Sequence, residues 1–478
     1  MPFLSVSFFF LFLLCFLIYC IVDVRYRNIL LLGASFIFIG WGYPMFLITA
    51  IVVSIFTYFW AQWIEKEASR PKVGKIVFKL GILILILGWL FFHYSGAANH
   101  LIGYLFPEME KATILRLVVF PLGMSFYTFQ AISYMTDVYW QEEKAERNII
   151  DFLLYMLFFM KFLSGPIERA GDLIKQLKEP KPFNYSLAVL GLKYILLGLL
   201  KKLLIANYIA PHTTIMFNEI HELSGLQMLM TCLLYPIELY ADFSGYTDIA
   251  IGGAYMFGLK LVPNFNSPFA ARSTADLWRR WHMSLSFWVR DYIYVPLTAE
   301  TRRWGVWGVY FSLLATFVLL GLWHGIGYNY AIYGLIQGAI ICWELKVTFF
   351  RKYIPKLLGA NISDAIFIIR TYVLFALSLL FFRIPKVEDA LYFISHISFG
   401  IHSSWKEMNI GMTDHYCIVA GSALLLLFLY EFFSKKEDLV AKVAKLSGPV
   451  RWSIYFFFII VLFTLGKFDN ETFIYLQF

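Results

Sequence analysis

Two histidines set among arginines and tryptophans are the residues of this chain best suited to chemistry. His324 stands in Gly321-Leu322-Trp323-His324-Gly325, at the end of an apolar run that begins near Gly305. His282 stands earlier, in Trp278-Arg279-Arg280-Trp281-His282. An imidazole at the end of a membrane-length apolar run needs a partner or a task, because an unsatisfied polar group beside hydrocarbon is costly. A neutral imidazole has one acceptor nitrogen, and its unperturbed pKa of about 6.5 suits general-base work. Arg279 and Arg280 carry planar guanidinium groups that grip phosphate or carboxylate in two-pronged fashion, or staple Asp242 or Asp276. Gly325 lets another backbone, or a ligand, approach the His324 ring. The pair points to a buried site that handles a proton and an anionic ligand. Two plainer roles compete. A histidine near a helix end bonds a neighbouring carbonyl and does nothing more, and 276–297 also fits a short amphipathic helix at the membrane surface.

Taken as one helix, 276–297 places His282, Ser286 and Arg290 on one face at i, i+4 and i+8, beside an apolar face of Trp281, Leu285 and Trp288. Upstream, Glu238 and Asp242 are i, i+4 partners at the end of another apolar run. Such a carboxylate pair is an acid–base device, although ion pairing to nearby arginines is the plainer expectation. Gly245 offers a place for the helix to break or pack closely. The Asn264-Phe-Asn266-Ser-Pro268 turn is expected to be structural. Charged groups at the density found between 225 and 330, interleaved with Tyr and Trp, do not face lipid; they line a cavity, an interface or a re-entrant pocket. The chain has no Gly-x-Gly-x-x-Gly, Gly-Lys-Ser phosphate loop, His-Glu-x-x-His or Gly-x-Ser-x-Gly, which argues against an ATP-driven pump, a zinc protease and a serine esterase. The five cysteines fall in or beside apolar runs with no Cys-x-x-Cys pair, so small buried thiols are expected and a metal site is not. No role is assigned to the other seven histidines.

The elements that carry these residues follow from composition. The chain is 60% hydrophobic and 15% charged, against roughly 45–50% and about 25% in soluble domains. Apolar runs of the length that crosses a bilayer core recur at about 3–22, 44–63, 78–95, 149–164, 184–209, 225–240, 305–323, 325–346, 364–382, 415–433 and 452–466. Shorter runs at 28–40 and 113–136 bring the expectation to about eleven to thirteen crossing or re-entrant segments. Lipid-exposed backbone must satisfy its own hydrogen bonds, so an all-α polytopic membrane protein is predicted. The first run has its positive charges (Arg25, Arg27) behind it, the reverse of a secretory signal, and is expected to be an uncleaved span with its N-terminus outside the cytoplasm. The net charge of +8 is concentrated in short connections, Lys66–Lys79, Lys175–Lys181, Lys346–Lys356 and Lys435–Lys445. These obey the positive-inside rule for cytoplasmic loops and do not call for nucleic acid. The segment 384–414 lacks a span, and 387–396 has the amphipathic spacing of a helix lying in the interface plane. No loop is long enough to bury a core, so 1–478 is expected to be one membrane-embedded domain with its chemistry at about 225–330.

Several ordered motifs resemble those of the membrane-bound O-acyltransferases (MBOAT), and within them the bacterial polysaccharide O-acetyltransferases of the alginate type. They are Arg27-Asn-Ile-Leu30, Pro121-Leu-Gly-Met-Ser-Phe-Tyr-Thr-Phe-Gln130, Ser164-Gly-Pro-Ile-Glu-Arg169, Asp242-Phe-Ser-Gly-Tyr-Thr-Asp248, Asn264-Phe-Asn-Ser-Pro268, Trp278-Arg-Arg-Trp-His282 and Gly321-Leu-Trp-His-Gly325. The resemblance implies a helical fold enclosing a tunnel between the two membrane faces, in the bacterial cytoplasmic membrane. It gives His324 the essential catalytic role and matches His282 to a second polar position. Trp323, Arg279, Arg280, Asp242 and Ser286 are then the supporting candidates. It further implies acetyl-CoA or another acyl-CoA as a cytoplasmic donor, with no tightly bound cofactor. The acceptor would be the hydroxyls of an exported glycan, alginate-like or peptidoglycan, with a periplasmic or extracellular partner of the SGNH acetyltransferase type. Two other functions fit parts of the pattern: a D-alanyl transferase for teichoic acid, and a transporter or channel that uses the same intramembrane charges as a pathway.

Overall fold

A computed structural model describes residues 2–94, 120–163, 165–179, 182–398, 404–434, 442–443 and 445–468. Part of the expected segment 113–136 lies outside the described residues, as do His100 and His402. The described backbone is helical, without strands. The longer helices in chain order are α1 (Val6–Ile21), α2 (Arg27–Gly40), α3 (Pro44–Lys66), α4 (Pro71–His93), α5 (Met124–Tyr139), α6 (Tyr185–Lys201), α7 (Asn207–Asn218), α8 (Gly225–Met256), α9 (Val306–His324), α10 (Tyr328–Lys346), α11 (Ala360–Arg383), α12 (Asp414–Ser434) and α13 (Gly448–Leu465). Of these, α3, α4, α9, α11, α12 and α13 are long and apolar enough to cross a membrane, and the chain is an all-α polytopic membrane protein. Proline opens α3 and α4 at the first helical position, where its missing N–H has no bond to lose. The amphipathic spacing at 387–396 is a helix, Val387–His396.

Two compact units divide the chain: Met1–Leu192 with Ala250–Val262, and Lys193–Ile249 with Pro263–Phe478. In the first, the expected span at 149–164 is broken. A helix over Ile149–Leu157 stops at Phe158, whose ψ of 116° leaves the helical region, and one short turn follows at Phe159–Phe162. Pro166 bars continuation beyond it. The Phe159 N–H freed by the break donates to Ser35 Oγ on α2 at 3.1 Å. Lys161, inside this apolar run, is buried with its ammonium 5.2 Å from the centre of the Tyr155 ring.

In the second unit, α6 passes through a wide π turn over Lys202–Ala206 into α7. The apolar run expected to end near 240 continues as α8 to Met256. Its carboxylates do not end the helix because each has a partner. Asp242 pairs with Lys202 at 2.5 Å, Asp248 with Lys201 at 2.7 Å, and Glu238 accepts from the Thr213 hydroxyl. The partners are thus two lysines and a threonine rather than arginines. Gly245 does not break the helix either. It is a point of close approach, where an added Cβ would sit 2.8 Å from the Gly198 carbonyl oxygen.

Candidate active site

His282 does not lie within one helix running from 276 to 297. A short helix over Thr274–Trp278 ends, a turn follows, and a second helix begins at Met283 and runs to Val289. His282 is the residue between them, in the left-handed region at φ 44° and ψ 54°. A non-glycine residue there costs roughly 1–2 kcal/mol, so the surroundings must over-determine it. Asn264 does much of this: its carbonyl accepts from Met283 N at 2.8 Å, and its side-chain oxygen accepts from Ser284 N at 3.2 Å and Ser284 Oγ at 2.6 Å. Asn266 N donates to the Arg280 carbonyl at 3.0 Å. The turn expected to be structural is therefore the clamp that sets the His282 backbone.

The same segment is bolted to α10 and α11. Glu344 accepts from Thr274 N at 3.0 Å and from Arg370 Nη2 at 2.7 Å. Trp278 Nε1 donates to Gln337 Oε1 at 2.9 Å, and Gln337 Nε2 donates to Ser378 Oγ at 2.6 Å. These buried polar groups are satisfied by one another, which makes the arrangement specific rather than merely compact.

His324 is the last residue of α9, and α9 packs tightly on α10. The close approach relies on glycine: a Cβ at Gly321 would meet the Tyr330 carbonyl oxygen at 2.1 Å, and one at Gly334 the Phe317 carbonyl oxygen at 2.1 Å. What approaches Gly325 is the Tyr330 ring, 2.2 Å from where a Cβ would stand. The His324 ring contacts Trp323 (centroids 4.6 Å apart) and Phe382 (5.2 Å). Its Nδ1 lies 2.8 Å from the Leu320 carbonyl oxygen. A carbonyl only accepts, so Nδ1 carries the hydrogen and, in the neutral ring, Nε2 is left as the acceptor.

Both imidazoles are buried, His282 at 1% exposure and His324 at 6%. The His282 ring meets the edge of Phe243 at 4.7 Å. His282 lies in a connection outside the membrane-crossing helices. Burial first, and then the charge His324 would carry, hold its pKa well below the usual histidine range.

The other predicted residues divide. Trp323 packs directly on His324. Asp242 sits next to Phe243 in α8 and is held by Lys202, both side chains being almost wholly enclosed. Arg279 and Arg280 pair with Asp276 at 3.6 and 3.2 Å, and Arg280 also donates to the Asn266 carbonyl at 3.3 Å; they staple Asp276, and Asp242 is left to the lysine. Ser286 turns its hydroxyl back onto the Trp281 carbonyl at 3.0 Å and stands one turn into the second helix, not on a shared face with His282. Among the described residues no cluster of three His, Cys, Asp or Glu is arranged to hold a metal ion. Sequence reasoning passed over Lys201 and Lys202, although adjacent lysines inside an apolar run are a signal, and over Gln337 and Glu344 inside the next one.

Comparison with known proteins places this chain in a family. Residues 141–383, which include both histidines, match the model of the MBOAT, membrane-bound O-acyltransferase family. A probable alginate O-acetylase of Pseudomonas syringae pv. tomato is 33% identical over 469 residues, covering 94% of this chain and 86% of the relative. A peptidoglycan O-acetyltransferase of Helicobacter pylori is 32% identical over 76% of this chain and 72% of its own. A teichoic acid D-alanyltransferase of Bacillus subtilis is 32% identical over 65% and 83% respectively. The chain belongs to the membrane-bound O-acyltransferase family and is an O-acyltransferase.

Proposed function

We propose that this protein moves an acetyl group from a cytoplasmic acyl-CoA thioester to hydroxyls of an exported polysaccharide, with His324 as general base. The observation that carries the reading is the Nδ1 bond of His324 to the Leu320 carbonyl, which leaves Nε2 as the proton acceptor in an enclosed ring. The acceptor oxygen attacks the thioester carbonyl carbon, a C–O bond forms and the C–S bond breaks. Nε2 takes the hydroxyl proton and returns it to the departing thiolate, so the products are an ester and a free thiol with no net proton released. A positioned base of this kind contributes about 10²–10⁴ in rate. His282, kept neutral, donates toward the developing oxyanion or orients the acceptor. Arg279, the more exposed of the two arginines, is the candidate for the donor phosphates. A water-poor site protects the thioester from hydrolysis.

On this reading the protein works in the bacterial cytoplasmic membrane as a single membrane domain with its catalytic core at about 225–330. The helix Val387–His396 lies at the interface, and a periplasmic or extracellular SGNH-type partner completes transfer to the glycan. Acetyl transfer is favoured over D-alanyl transfer because the relatives named for acetylation match 94% and 76% of this chain, against 65% for the D-alanyltransferase. Transport has no comparable support among these relatives. The test is to supply labelled acetyl-CoA to the cytoplasmic face of membrane vesicles and to follow ester-linked label in polysaccharide and peptidoglycan. Label dependent on this protein supports the reading. Unlabelled glycan alongside loss of D-alanyl esters from teichoic acid in a deletion strain would overturn it in favour of the second transferase.

A further inference from the structure

Arg383 ends α11, one residue beyond the Phe382 ring that packs on His324 at 5.2 Å. Phe382 also meets Tyr330 at 5.7 Å, and Asn329 Nδ2 donates to the Phe381 carbonyl at 3.1 Å. The end of α11 is thereby fixed against the start of α10, beside the imidazole. Arg383 is half-buried, and its guanidinium lies 5.2 Å from the centre of the Phe217 ring on α7. Among the described residues it forms no hydrogen bond and no ion pair. Arg370, half-buried in the same helix, is by contrast paired with Glu344 at 2.7 Å. The buried carboxylate that feels the Arg383 charge, Glu238 on α8, takes its hydrogen bond from the Thr213 hydroxyl instead.

This cation also stands on the side where the positive-inside rule does not call for one. The connection Lys346–Lys356 leads from α10 into α11, and its charge assigns it to the cytoplasm. The 24 residues of α11 make roughly 36 Å of helix, enough to cross a hydrocarbon core of about 30 Å. On that orientation its far end, with Arg383, lies toward the outer face, as does the turn between α9 and α10 next to His324. The dipole of α11 favours a cation at this end. Neither the dipole nor contact with one phenylalanine replaces the hydrogen bonds that five guanidinium donors give up on partial burial. A guanidinium so placed, beside the proposed base and on the acceptor's side, is suited to an anion that arrives with the substrate.

We infer that Arg383 selects an acidic acceptor, gripping a carboxylate of the glycan in arginine's two-pronged fashion while a hydroxyl of the same or the adjoining sugar reaches Nε2 of His324. The acceptor class is then a carboxylated glycan such as a polyuronate, and its charge is used to orient the reacting hydroxyl. The inference rests on the reading of His324 as the base that meets the acceptor.

The experiment supplies labelled acetyl-CoA to native membranes opened to solute, with one of three acceptors. These are a uronic acid oligosaccharide, its carboxyl-reduced neutral counterpart and a glycerol phosphate oligomer. Wild type is expected to favour the uronate over the neutral sugar by roughly tenfold or more in kcat/KM, the worth of a hydrogen bond to a charged group. The difference lies in KM, since the contact is made equally before and during the reaction. Arg383→Gln abolishes the preference, and Arg383→Lys, which keeps the charge but loses the fork, retains part of it. The ratio between acceptors is read within one preparation, so a smaller amount of folded variant does not move it. Should Arg383→Gln fail to fold, the wild-type ratio and Arg383→Lys decide. Equal use of uronate and neutral sugar by wild type, a preference for glycerol phosphate, or an unchanged ratio in Arg383→Gln would overturn the inference and leave the base in place. Wild-type membranes that label none of the three would remove the reading of His324 and this inference with it.

Discussion

A hydrogen bond that a purely structural histidine would also make is what the role proposed for His324 rests on. The Leu320 carbonyl fixes the hydrogen on Nδ1 and so directs the basic lone pair to Nε2. The two roles weighed from the sequence, a histidine bonding a carbonyl and a histidine acting as base, are therefore compatible. His282 is specified differently, by a backbone conformation that its side chain does not favour. Replacing it with glycine removes the left-handed penalty as well as the ring, whereas alanine removes the ring and keeps the penalty. His282→Gly is expected to be more stable than His282→Ala by about 1 kcal/mol, read as a higher thermal midpoint in detergent. An equal or lower midpoint for the glycine variant would mean that the left-handed turn is not imposed by the Asn264 clamp. The identity of both histidines was legible from their flanking residues. The turn at 279–282 was not, because the groups that impose it, Asn264 and Asn266, come from a separate stretch and leave no mark on helical periodicity.

Among elements, the apolar runs announced the helices, and their interruptions were the part that local sequence could not supply. The run at 149–164 breaks where Ser35, from α2, catches a backbone N–H, and α8 continues past Asp242 because Lys202 comes to meet it. Long-range partners decided both outcomes. The Lys202–Asp242 pair, both side chains at most 2% exposed, gives a test at this scale. Removing one member strands a buried charge, at a cost of about 3–5 kcal/mol, whereas replacing both with apolar residues of similar volume is close to neutral. Lys202→Met is therefore expected to lower the melting transition sharply, and Lys202→Met with Asp242→Leu to regain most of it. A double variant as unstable as the single one would show that the pair does more than neutralise itself.

For the whole molecule, composition excluded a soluble protein and the ordered motifs indicated the family, which the match over 141–383 and the long relatives bear out. The division into two units was not legible, since α6 and α8 each contribute residues to both and no linker marks the boundary. The second unit holds both histidines and the Asn264 clamp that sets the His282 backbone. The central claim rests on a single nitrogen, Nε2 of His324. The most direct measurement is the initial rate of label transfer from acetyl-CoA to polysaccharide in membranes containing wild type or His324→Ala at matched protein level. The rate is expected to fall by about 10²–10⁴ with the amount of membrane-inserted protein unchanged. A His324→Ala protein that transfers label within a few-fold of wild type, or one that simply disappears from the membrane, would contradict the role given to this residue.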